Sequence, residues 1–180
     1  MLRRIRKESD TGLVLMMALL LEQELTDLLA AVFIKDAHTR GFLKRLSGKL
    51  DTKVSLVNAL GLMPARMYED AVLVTRIRNA LAHRPLSGSF RGRDVGALVR
   101  QLSYGRDPAG MTRRMVFIHS VDRVFRRLLV AKRLVVDLRA GKLKLAQVRV
   151  LMASAGDVAA LPRRGRARST AARAPGARAR

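Results

Sequence analysis

The chain has 180 residues, 49% hydrophobic and 28% charged, with a net charge of +22, no cysteine, no tryptophan and 4% aromatics. That suffices for one domain of ordinary size plus a tail, with a core of Leu, Val, Ala and Met that favours helices over strands. Lack of cysteine excludes disulfides and thiolate zinc sites, and His38, His83 and His119 are too scattered for a metal centre, so no metal or cofactor is expected.

The segment MLRRIRK followed by GLVLMMALLL imitates a secretory leader. Glu22, Gln23 and Glu24, however, stand where the small residues of a cleavage site belong, and the apolar run is about half of the ~20 residues that a membrane span needs. A soluble, cytoplasmic protein without membrane attachment is expected. Residues 9–35 are predicted as one long helix, capped by Ser9 or Asp10. Its apolar stripe is Leu13, Met17, Leu20, Leu21, Leu25, Leu28, Leu29 and Val32, and Met16, Ala18 and Leu19 widen it until the start of the helix is buried nearly all round. Residues 36–50 are mixed and basic, a connection with one or two helical turns. Asp51 is placed to cap a shorter helix that Gly61 ends.

Pro64 suits the first turn of the next helix, which runs to about His83, where Arg84-Pro85 stops it. A Gly/Ser-rich loop covers 84–93, a short helix Asp94 to Leu102, and a turn 106–110. Thr112 can cap a last long helix to about Arg139, with Met115, Ile118, Val121, Phe125, Leu128, Leu129, Leu134 and Leu138 as its stripe. No internal repeat and no strand pattern stands out. The expected fold is therefore all-α, a helical bundle of about 4–6 helices in residues 1–140, with an ambiguous helical extension over 141–161 and a disordered basic tail over 162–180. Seven arginines and no acid lie in that tail. Arg163, Arg164, Arg166 and Arg168 are its candidate contacts to an RNA or DNA backbone, although biased composition alone would also produce an Ala/Arg/Gly/Pro tail.

The segment IRNALAH, Ile77 to His83, carries the candidate chemistry. At about 100° per residue, Leu73, Val74, Ile77 and Leu81 face the core, while Tyr68, Val72, Thr75, Asn79 and His83 form a second stripe roughly opposite, with Arg78 at the border. Another helix of the chain or a second copy should cover that stripe. In a two-fold homodimer it would meet itself and bring two Arg78/Asn79/His83 sets into one cationic cleft. Such a cleft suits metal-independent cleavage of RNA, which carries its own 2′-OH nucleophile: His83 moves a proton, Arg78 holds phosphate oxygens, and Asn79 orients one of them. The plainer alternative is a polar helix end, with His83 meeting the dipole for about 0.3–1 kcal/mol and Arg76 and Arg78 solvated or paired with Glu69 or Asp70.

The segments ESDTGLVLMMALLLEQELTDLLAAVF, LSGKLDTKVSLVNALGLMPARMYEDAVLVTRIRNALAH and LSGSF together resemble the mannitol-operon repressor family over residues 8 to about 102, with a weaker match near Phe117–Leu134. That resemblance implies an all-helical regulator without a DNA-reading module, acting on transcription through a protein partner. The family is similar to the wider HEPN superfamily, whose nucleases carry an arginine, a polar residue and a later histidine on one helix. Arg78, Asn79 and His83 match that pattern, which implies a catalytic role for them if the chain is a ribonuclease. Thr11 stands where the family has an Asp-Arg run after ESD, and Leu81 where it has Phe. Neither difference touches Arg78 or His83.

Overall fold

In the computed structural model, the described residues are 8–33, 35–83, 88–105, 110–144 and 147. Among them the chain forms six helices and no strand: α1 Asp10–Val32, α2 Ala37–Arg45, α3 Leu50–Ala59, α4 Ala65–Ala82, α5 Arg93–Gln101 and α6 Arg113–Arg139. No helix among them is long and apolar enough to cross a membrane.

Local chemistry sets most of the helix ends. The Ser9 hydroxyl accepts from Gly12 N at 3.0 Å, Asp36 Oδ1 from Thr39 N at 2.6 Å and Thr112 Oγ1 from Met115 N at 3.3 Å, each satisfying a donor that the first turn leaves unpaired. The hydrogen bond from the Thr39 backbone holds the Asp36 carboxyl below its ordinary pKa. Gly61 and Gly141 end α3 and α6 in the left-handed region, at φ 70 each. The next residue then donates back into the helix, Leu62 N to Val57 O and Lys142 N to Asp137 O, which closes a Schellman motif.

The two longest helices, α1 and α6, lie side by side and parallel. Arg114 binds Asp10 Oδ1 at 2.7 Å near their starts, and Lys132 binds Asp27 Oδ2 at 2.9 Å farther along. At the far end Arg139 donates to the carbonyls of Val32 and Phe33, where α1 has no further amides to offer. Between these partners α4 runs through the bundle, packing against α1, α3, α5 and α6. Ala71, Val74 and Ile77 of α4 are fully buried, together with Leu21, Leu25 and Leu28 of α1 and Phe117 of α6. A buried ion pair, Lys53 to Glu22 at 2.7 Å with Lys53 only 3% exposed, fastens α3 to α1, and the same Glu22 oxygen accepts from Gly48 N.

Several expectations need correction. The start of α1 is not buried all round: Leu19 is 67% exposed and Leu15 is exposed as well, although α6, α4, α3 and α2 all pack against the helix. Residues 37–45 form a nine-residue helix, longer than one or two turns. Lys49 occupies the cap of α3, and Asp51 sits inside its first turn, where a carboxylate still meets the positive helix end. On α6 the inner face is Phe117, Val121, Val124, Leu128, Ala131 and Val135, while Met115 and Leu129 point outward. Arg127 is also on the inside, 4% exposed, and burial lowers its pKa. The Arg84-Pro85 stop, most of the 106–110 turn, nearly all of 145–161 and the tail from 162 lie outside the described residues.

Candidate functional site

The candidate stripe runs along the outward side of α4. Asn79 and His83, four residues apart, are both exposed one above the other, and His83 N donates to Asn79 O at 3.2 Å where the helix ends. Tyr68 and Val72 are half-buried and pack against the core. Thr75 departs from the stripe: it is buried, its hydroxyl returned to Ala71 O at 3.1 Å. Arg78, half-buried at the border of the two faces, donates from Nη1 to Asn79 Oδ1 at 2.9 Å. That bond draws the guanidinium toward the face that Asn79 shares with His83.

The paired-charge alternative does not hold for these arginines. Among the described residues neither Arg76 nor Arg78 makes an ion pair. Asp70 points the other way, 2% exposed, with its Oδ1 accepting from Ser103 N at 2.9 Å where α5 ends. No hydrogen bond joins Arg78 to His83 directly. Asn79 binds the guanidinium through its side chain, and its bond to His83 is the backbone bond of the last helical turn, which leaves the imidazole untouched.

Beside His83 opens a cleft of about 230 Å³, walled by Ala80 and Leu81 of α4, by Gly88 and Ser89, and by Arg93 and Asp94 at the start of α5. The wall is held from a distance. Thr11 Oγ1 donates to Gly88 O at 3.2 Å, and Asp10 takes Phe90 N on Oδ2 at 3.0 Å while binding Arg114 on Oδ1. Phe90 then packs on Phe117, their ring centroids 5.3 Å apart. Asp10, read from the sequence only as a helix cap, thus ties the start of α1 to the segment facing His83 and to α6. Its place in the ESD run was visible, but partners 80 and 104 residues away were not.

Chemically, one copy of the chain offers a solvent-open imidazole and a guanidinium held by an amide. It can hold an anion and move one proton. Asp94, in the wall of the cleft, is the other acid–base group described beside His83. The tail arginines Arg163, Arg164, Arg166 and Arg168 lie outside the described residues. Compared with known proteins, the chain matches no family model, no curated protein and no solved structure.

Proposed function

We propose that the chain is a cytoplasmic transcriptional regulator, similar to mannitol-operon repressors, that acts through protein contacts rather than by reading bases. The burial of α4 carries this reading. In the α3–α4 hairpin, α4 holds the place a groove-reading helix would take, and such a helix presents its N-terminal residues to base edges. Here that half buries Met67, Asp70, Ala71, Leu73 and Val74 and turns only Ala65, Arg66 and the acidic Glu69 fully outward, a poor set for base edges. The outward stripe is a mixed surface of Tyr68, Val72, Asn79 and His83, with Thr75 beneath it, suited to covering itself in a two-fold homodimer. A protein partner then links the dimer to transcription, and basic charge adds affinity for an RNA or DNA backbone. The test is to map transcription start sites in cells with and without the gene. A small set of promoters should change in initiation and recover on complementation; unaltered initiation everywhere would end this reading.

The bond from Arg78 to Asn79 favours a second reading, a metal-independent endoribonuclease that cleaves single-stranded RNA, as a toxin or defence component. In it His83 accepts the 2′-OH proton, the 2′-oxygen attacks phosphorus, and the 5′-oxygen leaves with a proton from the His83 of a second copy. The products are a 2′,3′-cyclic phosphate and a 5′-OH, while Arg78 holds the phosphate oxygens. Incubation with a labelled single-stranded RNA tests it: cleavage should vanish with His83→Ala and with Arg78→Ala in variants that remain folded, and an uncut wild-type reaction removes it.

A further inference from the structure

A row of uncancelled arginines lies on one flank of α5. Arg93, Gly96 and Arg100 stand three and four residues apart, hence one above another on the helix. Arg113, from the first turn of α6, reaches across and lays its guanidinium over Gly96, so closely that a Cβ there would sit 2.5 Å from Nη1. The same Nη1 donates to the carbonyls of Phe90 at 3.0 Å and Arg91 at 3.3 Å. Carbonyls hold the guanidinium in place without neutralising it.

Neighbouring cations are treated differently. Arg114 is engaged by Asp10, and Arg126 and Arg133 by carboxylates one turn along α6. Arg91, Arg93, Arg100 and Arg113 make no ion pair among the described residues, and all four are exposed. The carboxylate on α5, Asp94, lies about 100° round the helix from Arg93, and both border the cleft beside His83 without an ion pair between them. From Arg93 to Arg100 the helix rises about 10 Å, the axial length over which one strand of nucleic acid presents about three charges. A chance surface arginine has a mobile side chain. The middle one here has a glycine seat and two carbonyl partners.

We propose that this strip binds the phosphodiester backbone of nucleic acid without regard to base sequence, Arg93, Arg113 and Arg100 each meeting one phosphate and Arg91 extending the row. The strip shares Arg93 with the wall of the cleft beside His83 but includes neither Arg78, His83 nor the tail, and it does not rest on the regulatory reading: a protein with no promoter effect would still bind through it. The test uses the full chain and fluorescence anisotropy of a labelled 20-nucleotide single-stranded RNA over a salt series, repeated with single- and double-stranded DNA. Arg93→Gln/Arg100→Gln changes two side chains that make no bond among the described residues, so the fold should be kept. At about 0.7 per phosphate on a single strand, it should lower the log–log salt slope by about 1.4 and weaken binding about 25-fold at 0.1 M salt. Arg40→Gln/Arg45→Gln on α2 removes the same charge elsewhere and should leave the slope nearly as it was. Arg113→Gln should add to the loss, and Arg113→Lys should recover part of it. Equal losses from the α5 and α2 pairs would reduce the effect to net charge and overturn the proposal, as would no loss from the α5 pair. Parallel losses on RNA and DNA assign the shared phosphate chemistry, and a loss confined to one names the source. An α5 pair that impairs only sedimentation with anionic lipid vesicles gives the strip to a membrane surface and refutes it.

Discussion

Leu128 and Leu129 are chemically identical neighbours on α6 with opposite surroundings. Leu128 is 1% exposed in the core and Leu129 is 45% exposed. Truncating a buried leucine to alanine removes its transfer free energy and leaves a cavity, together about 2–5 kcal/mol, and Leu128 sits in the middle of the seam where the surroundings are least able to collapse. A loss of about 3 kcal/mol lowers the melting temperature of a protein this size by about 6–12 °C. Leu129→Ala, mostly in water, should change stability by about 0.5 kcal/mol or less. Thermal unfolding followed by circular dichroism at low micromolar concentration reads both. Equal losses, or a greater one for Leu129→Ala, would show that α6 is rotated about its axis from the orientation described and would undo the corrected stripe.

Glu22→Gln leaves the buried Lys53 ammonium facing a neutral amide, so it should destabilise by about 3 kcal/mol, with much of that loss recovered in the Glu22→Gln/Lys53→Met double variant; chemical denaturation of these two, the wild type and Lys53→Met measures the coupling. Gly105→Ala should destabilise more than Gly96→Ala, since a Cβ at Gly105 meets the Val99 carbonyl and the Arg100 backbone, whereas at Gly96 its closest contact is the Arg113 guanidinium, a side-chain end displaced at the cost of its two carbonyl bonds; melting temperatures in the reverse order would contradict this packing. The Lys132 ammonium, hydrogen-bonded to Asp27, has a pKa above the ordinary lysine value. Its contribution is therefore complete below that ordinary value and is lost as pH rises through the raised one, so alkaline unfolding should be steeper in the wild type than in Lys132→Met.

The helical class and most boundaries were legible because capping residues and glycines act locally: Ser9, Thr112 and Gly61 do what their neighbours in sequence imply. The phase of α6 was not. Apolar residues surround most of that helix, so choosing the bulkier ones selected Met115 and Leu129, while the true seam includes the smaller Val124 and Ala131 and has the polar Ser120 and Arg127 inside. On α4 the stripe could be placed by spacing, and Asn79 and His83 do share the open face. Thr75 left it because a threonine hydroxyl can be satisfied by its own helix. The wall opposite His83 depends on Asp10 and Thr11, whose partners lie 77 to 104 residues away, a distance over which periodicity carries no signal.

The parallel pairing of the first and last long helices has a consequence for synthesis. Arg139 closes the end of α1 from 107 residues downstream. At about 5–20 residues per second, a ribosome needs roughly 5–20 s to make that stretch, during which the charge-free run Thr11–Leu21 has emerged without its cover. Nascent chains halted before α6 should therefore be held by chaperones or clump, whereas chains released after it should not.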